Sequence, residues 1–142
     1  MGITVALLAP ISPYRGGIAQ HSTMLSNALR HHCDLRLFSY KRLYPALLYP
    51  GQSQLDEETE LTPDVSPSWM VDTINPLSWY RTARAVIECG ADVLILPWWT
   101  FFVSPCYRVI ETIVSRRSIK IVFVCHNFTD HETTWWKKAI AK

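Results

Sequence analysis

No block of basic charge occurs anywhere in the 142 residues: fourteen Lys and Arg face twelve Asp and Glu, a formal net charge of +2, and the basic residues fall as singlets and pairs. The phosphate-neutralising stripe that nucleic-acid binding relies on is missing, so no nucleic-acid partner is expected. Cysteine is sparse: Cys33, Cys89, Cys106 and Cys125 include no C-x-x-C pair. Such spacing fits neither a zinc framework nor a small disulfide scaffold, and it points to a reducing cytoplasm. Five glycines and nine prolines are too few for a collagen-like or low-complexity chain. No apolar run approaches the roughly 20 residues of a membrane-spanning helix. The opening run Ile3-Thr4-Val5-Ala6-Leu7-Leu8 follows no basic segment, and reads as a strand rather than a secretion signal. Met1-Gly2 is not a myristoylation start, because Ala6 stands where that motif needs Ser or Thr.

What is present is the composition of one soluble globular domain, 49% hydrophobic and 18% charged. A chain of this size buries roughly two thirds of its unfolded surface, enough for a proper core. Residues 3–9 and 119–125 are nearly continuous β-branched and aliphatic runs, as parallel strands covered on both faces require, and 92–97 has the same character. A further strand is expected over 35–40. The punctuation between them is helical. Asn75 and Pro76 form an N-terminal signal, Leu77, Tyr80, Ala83 and Ile87 are the expected inward positions, and Gly90 lies past the end. A third helix starts at Ser104-Pro105, carries Cys106, Val109, Ile110, Ile113 and Val114 on one side, and ends at Arg116-Arg117. The first helix covers 17–29, with Ile18, Leu25 and Leu29 inward. This alternation predicts an α/β fold, a Rossmann-like open parallel sheet with helices on both faces and strand order 2-1-3-4.

The stretch 43–75 holds four of the nine prolines and the acids Asp56, Glu57, Glu58 and Glu60. It is expected to be an irregular excursion with room for a short hairpin, and a loop of that length inside a compact domain usually has a task. Ligands of open α/β sheets bind beyond the carboxyl ends of the strands. Three segments should meet there: 10–17, Trp98-Trp99 and His126-Asn127. Gly16-Gly17 sits before a helix, where unobstructed backbone N–H groups approach a phosphate or a sugar oxygen. Neither G-x-G-x-x-G nor the phosphate-loop motif is present. At most one of Trp98 and Trp99 can face the crevice, since neighbours on a strand point to opposite sides. The same alternation separates Cys125 from His126 and argues against a thiol–imidazole pair. His126, Asp130, His131 and Glu132 match no metal-binding spacing, so no metal is expected. Asn127-Phe128-Thr129 has the form of a glycosylation sequon, taken as accidental in a cytoplasmic chain.

Taken in order, Pro13-Tyr14-Arg15-Gly16-Gly17-Ile18-Ala19-Gln20-His21, then Asn75-Pro76-Leu77-Ser78-Trp79-Tyr80, then Ala91-Asp92-Val93-Leu94 running to Trp98-Trp99, and finally Val124-Cys125-His126-Asn127 resemble the N-terminal half of a family 4 glycosyltransferase of the GT-B type. The likeness covers essentially the whole chain. It implies a retaining, hexosyltransferase-type transfer from a nucleotide-sugar donor to an acceptor hydroxyl, in a cleft between two Rossmann-like domains. The N-terminal domain would mostly handle the acceptor, itself a sugar or a lipid-linked molecule. Gly16 and Gly17 match the glycine-rich loop that approaches the donor diphosphate or the acceptor. His126 matches the strand-end histidine near the transferred sugar and is the catalytic candidate, with His21, Trp99 and Asn127 as candidates for binding in the same cleft.

No strong nucleophile and no Asp-x-Asp element occurs, which suits a metal-independent transfer that relies on positioned hydrogen bonds and uses no cofactor beyond the donor. The family's nucleotide-binding domain has no counterpart before Lys142. The chain is therefore expected to be one part of a two-domain enzyme, inactive alone, in the cytoplasm. Its sequence pI of about 8.4 is compatible with peripheral contact at the inner face of an anionic membrane. The alternative is a stand-alone flavodoxin-like domain that binds a ligand or a protein without catalysis.

Overall fold

The computed structural model describes residues 2–45 and 53–126. Among the described residues five strands, β1 (Thr4–Leu8), β2 (Asp34–Arg42), β3 (Ser68–Asp72), β4 (Val93–Trp98) and β5 (Lys120–Cys125), and three α-helices, α1 (Gly17–Leu29), α2 (Pro76–Glu88) and α3 (Ser104–Val114), follow in the order β1-α1-β2-β3-α2-β4-α3-β5. All four pairings are parallel, in the order β3-β2-β1-β4-β5. The expected Rossmann-like open sheet is the fold. From β1 the chain winds outward to β2 and β3, then returns to β4 and winds the other way to β5. The reversal lies between β1 and β4, and open α/β sheets bind ligands beyond the strand ends at such a point.

The order 2-1-3-4 holds for the four strands expected from sequence, as β2-β1-β4-β5. It omits one strand. β3 arises inside the stretch expected to be irregular, and no hairpin forms there among the described residues. Five residues shortly after Pro67 carry a weak local signal, and β3 joins β2 with register shifts around Tyr40, so its place is set by the sheet it joins.

The two faces of the sheet differ. On one, Ala6, Leu8, Phe38, Tyr40, Val71, Leu94 and Leu96 pack against Trp79, Ala83 and Val86 of α2 and Cys106, Tyr107, Ile110 and Val114 of α3. Buried hydroxyls there are paired: Tyr40 Oη donates to Tyr107 Oη (2.9 Å), which donates to the Pro97 carbonyl (2.9 Å). On the other face Val5, Leu7, Ala9, Ile11, Leu35 and Leu37 form a smaller cluster, flanked by Leu25 and Leu29 of α1.

Helix ends follow the expected chemistry more closely than helix faces do. The Asn75 side chain accepts from the Leu77 N–H (3.1 Å), Pro76 opens α2, and Gly90 follows it with a positive φ of 75°. The inward face of α2, however, is Ser78, Trp79, Thr82, Ala83 and Val86, whereas Leu77 and Tyr80 are half-exposed. Trp79 turns the helix: its indole N–H donates to the Asp72 carbonyl (2.8 Å), tying α2 to the end of β3. The innermost face of α1 is Ala19, Ser22, Thr23 and Ser26, not the expected Ile18, Leu25 and Leu29, which are only partly covered. Small side chains let the helix lie close to the sheet, and their hydroxyls turn back to helix carbonyls, Thr23 to Ala19 (2.7 Å) and Ser26 to Thr23 (2.8 Å). At α3 a short 3-10 turn, Phe101–Val103, comes first, capped by Thr100, whose hydroxyl accepts from the Phe102 N–H (3.4 Å). Ser104 is therefore already helical rather than the cap.

Candidate functional site

The chain leaves β1 through Ala9, held by its N–H to the Phe38 carbonyl (3.1 Å) and by Ser39 Oγ donating to its own carbonyl (2.7 Å). It then turns into Gly16-Gly17. Gly16 has φ 114° and ψ 166°, a combination closed to residues with a Cβ, so the turn into α1 requires glycine there. No side chain caps α1, which leaves the first-turn N–H groups without a side-chain acceptor. A Cβ added at Gly16 or Gly17 would meet nothing within 4 Å, so open space lies in front of both.

The long excursion supports this turn. Arg15 N–H donates to the Gln54 carbonyl (2.7 Å), Asp56 N–H to the Pro13 carbonyl (2.6 Å), and Tyr14 forms an antiparallel bridge with Leu55. Further along, Asn27 of α1 donates to the Thr62 carbonyl (3.0 Å) and accepts from Asp64 N–H (2.8 Å), beside an Arg30–Asp64 ion pair at 3.0 Å. Residues 53–64 therefore form a strap over the glycine turn and the flank of α1. The sequence contained no local signal for Gln54, Leu55 or Asn27 in this role. Only the length of the excursion hinted at a task.

His126 ends β5, its backbone N–H donating to the Trp98 carbonyl (2.9 Å). It follows Val122 and Val124 on the α1 side of the sheet, while Cys125, opposite Trp98, points the other way. Among the described residues no hydrogen bond joins Cys125 to His126, as strand alternation requires. The His126 imidazole instead meets His21 of α1, with ring centroids 4.6 Å apart and planes at 78°. His126 Nε2 is buried and has no hydrogen-bond partner, the one such side-chain atom among the described residues. Burial, and secondarily the charge of His21, push the His126 pKa below its ordinary value, so the ring is neutral at pH 7. A neutral imidazole offers one donor and one acceptor nitrogen, which suits a hydroxyl.

The structure thus brings together Gly16, Gly17, His21 and His126 around the carboxyl edge of the sheet, and places Trp99 otherwise. Its indole N–H donates to Tyr44 Oη (3.0 Å) and its ring stands edge-on to Tyr40 at 6.3 Å, at the margin of the α2/α3 core. Trp98 also packs there, against Phe101 and Tyr107. Asn127, and with it Asp130, His131 and Glu132, falls outside the described residues.

No known family model and no curated protein matches this chain.

The chemistry available at the site is that of hydrogen bonds and backbone dipoles. Burial raises the thiol pKa of Cys33 and Cys89 and pushes that of Cys106 up to about 12, so these stay protonated and unreactive. Among the described residues no group of three or more His, Cys, Asp or Glu gathers where a metal ion could be held, and no helix is long and apolar enough to cross a membrane. Two hollows of appreciable size lie away from the histidines. One of about 510 Å³ runs beside Asp34, Leu37, Val65 and Cys89, and one of about 460 Å³ lies between α3 and β5, beside Tyr107, Arg108 and Phe123.

Proposed function

We propose that this chain is the acceptor-side Rossmann-like half of a retaining glycosyltransferase, which moves a sugar from a nucleotide-sugar donor to an acceptor hydroxyl. The observation that carries the reading is the convergence of an open glycine turn and a neutral strand-end histidine with an unpaired Nε2 at the switch point of a parallel sheet. A sugar presents hydroxyls, and a departing nucleotide presents a diphosphate. Free N–H groups at the start of α1 suit the second, and His126 suits the first.

The test is transfer of labelled sugar by the protein isolated from its source cells, with any polypeptide it carries, across a panel of nucleotide sugars and saccharide or lipid-linked acceptors. The expected result is a product with retained anomeric configuration, formed about 100-fold or more slowly by His126→Ala, with the fold unchanged. Transfer at the wild-type rate by His126→Ala, or no transfer with any donor, overturns the reading.

A further inference from the structure

The His126 imidazole is held in an unusual way. Its backbone is fixed by the hydrogen bond to Trp98, yet among the described residues no side-chain hydrogen bond orients its ring, and its buried Nε2 has no hydrogen-bond partner. The ring contact that the structure shows for it comes from His21, one turn into α1. Because α1 follows β1, and β4 lies between β1 and β5, this contact spans the end of β4 and joins the glycine turn to the strand-end histidine. His21 itself is exposed, so it is not placed there by burial of its own side chain.

We propose that His21 is a positioning residue, which acts on the ligand only through His126: its ring stands perpendicular to that of His126 and fixes the imidazole plane at the edge of the site. The inference rests on the transferase reading for the identity of the ligand, but not for the contact itself. Two imidazoles with centroids 4.6 Å apart do not readily carry two positive charges, so the same contact favours the neutral form of His126. Perpendicular packing of ring on ring adds a modest, directional attraction, which a shape-preserving aromatic would retain.

The experiment is aromatic 1H–13C relaxation and long-range 1H–15N NMR of the histidine rings in the 142-residue chain, for the wild type, His21→Ala and His21→Phe, each titrated with acid. In the wild type the His126 ring is expected to be ordered and to protonate below the ordinary histidine value. In His21→Ala the ring should lose order and its protonation should move upward, while the backbone amide spectrum away from 16–21 and 122–126 stays in place. His21→Phe separates ring from charge: it should restore the ordered ring and leave the protonation shifted upward. A His126 ring order and titration identical in all three proteins overturns the proposal. So does loss of ring order in His21→Phe, which would show that the ring contact does not orient the imidazole. No sugar donor enters the measurement, so its failure is distinct from failure of the transferase reading.

Discussion

The two faces of the sheet solve different problems. The α2/α3 face is built from large side chains, with Trp79, Tyr107, Tyr40 and Leu96 interlocked and their polar atoms paired inside the core. The α1 face is thin. Its helix touches the sheet through Ala19, Ser22, Thr23 and Ser26, and among the described residues its buried cluster is six residues against seventeen on the other side. Apolar burial scales with area, so most of the stabilisation resides with α2 and α3. The thin face carries the site: α1 presents the glycine turn and His21, and β5 sends His126 to that side. A helix that approaches through small residues leaves its N-terminus low over the strand ends, and the strap 53–64 does the anchoring that bulk does elsewhere.

Substitutions sharpen this contrast. The largest effect is expected on the thick face, where Trp79→Ala removes a nearly buried indole and its bond to the Asp72 carbonyl. A loss of about 3–5 kcal/mol in urea unfolding is predicted. On the thin face Thr23→Val keeps the shape but leaves the buried Ser12 N–H, now 2.9 Å from Thr23 Oγ1, without an acceptor. The cost should be about 1–3 kcal/mol, and a null result would mean that α1 is held by shape alone. Gly16→Ala forces a Cβ into φ 114° and should cost about 1–3 kcal/mol despite the open space around it. Gly17→Ala, already helical, should be neutral or stabilising by up to about 1 kcal/mol. The smallest effect belongs to the solvent side of α2, where Leu77→Lys at a half-exposed position should stay within about 0.5 kcal/mol. A large loss there would mean that this side of α2 is covered in the working protein.

Legibility of the sequence followed the range of the interactions. Strands β1, β2, β4 and β5 and the ends of α2 were readable because apolar runs, Asn75-Pro76 and Gly90 act within a few residues. β3 was not, since five residues after a proline pair with β2 only in the assembled sheet. The inward faces of α1 and α2 were misassigned for a related reason. Counting aliphatic residues favoured Leu77 over Trp79 and Ile18 over Thr23, whereas hydrogen bonds to Asp72 and Ser12 decide the rotation of each helix. Within the site, the position of His126 at a strand end and of Gly16-Gly17 before a helix could be read directly. That the His21 ring meets the His126 ring could not, although the order β1-β4-β5 and a shared cleft were both expected, because the contact depends on how α1 is rotated over the sheet. Trp99 belongs to the opposite case, an aromatic at a strand end whose indole N–H is taken up by Tyr44.

On the proposed reading, the thin face binds a sugar-bearing ligand at its carboxyl edge. The most direct test is a 1H–15N amide titration of the chain with nucleotide sugars and saccharide acceptors at millimolar concentration. The account predicts shifts concentrated at Gly16, Gly17, His21 and His126, lost in His126→Ala. Shifts gathered instead in the hollow between α3 and β5, or none with any sugar ligand, would contradict it.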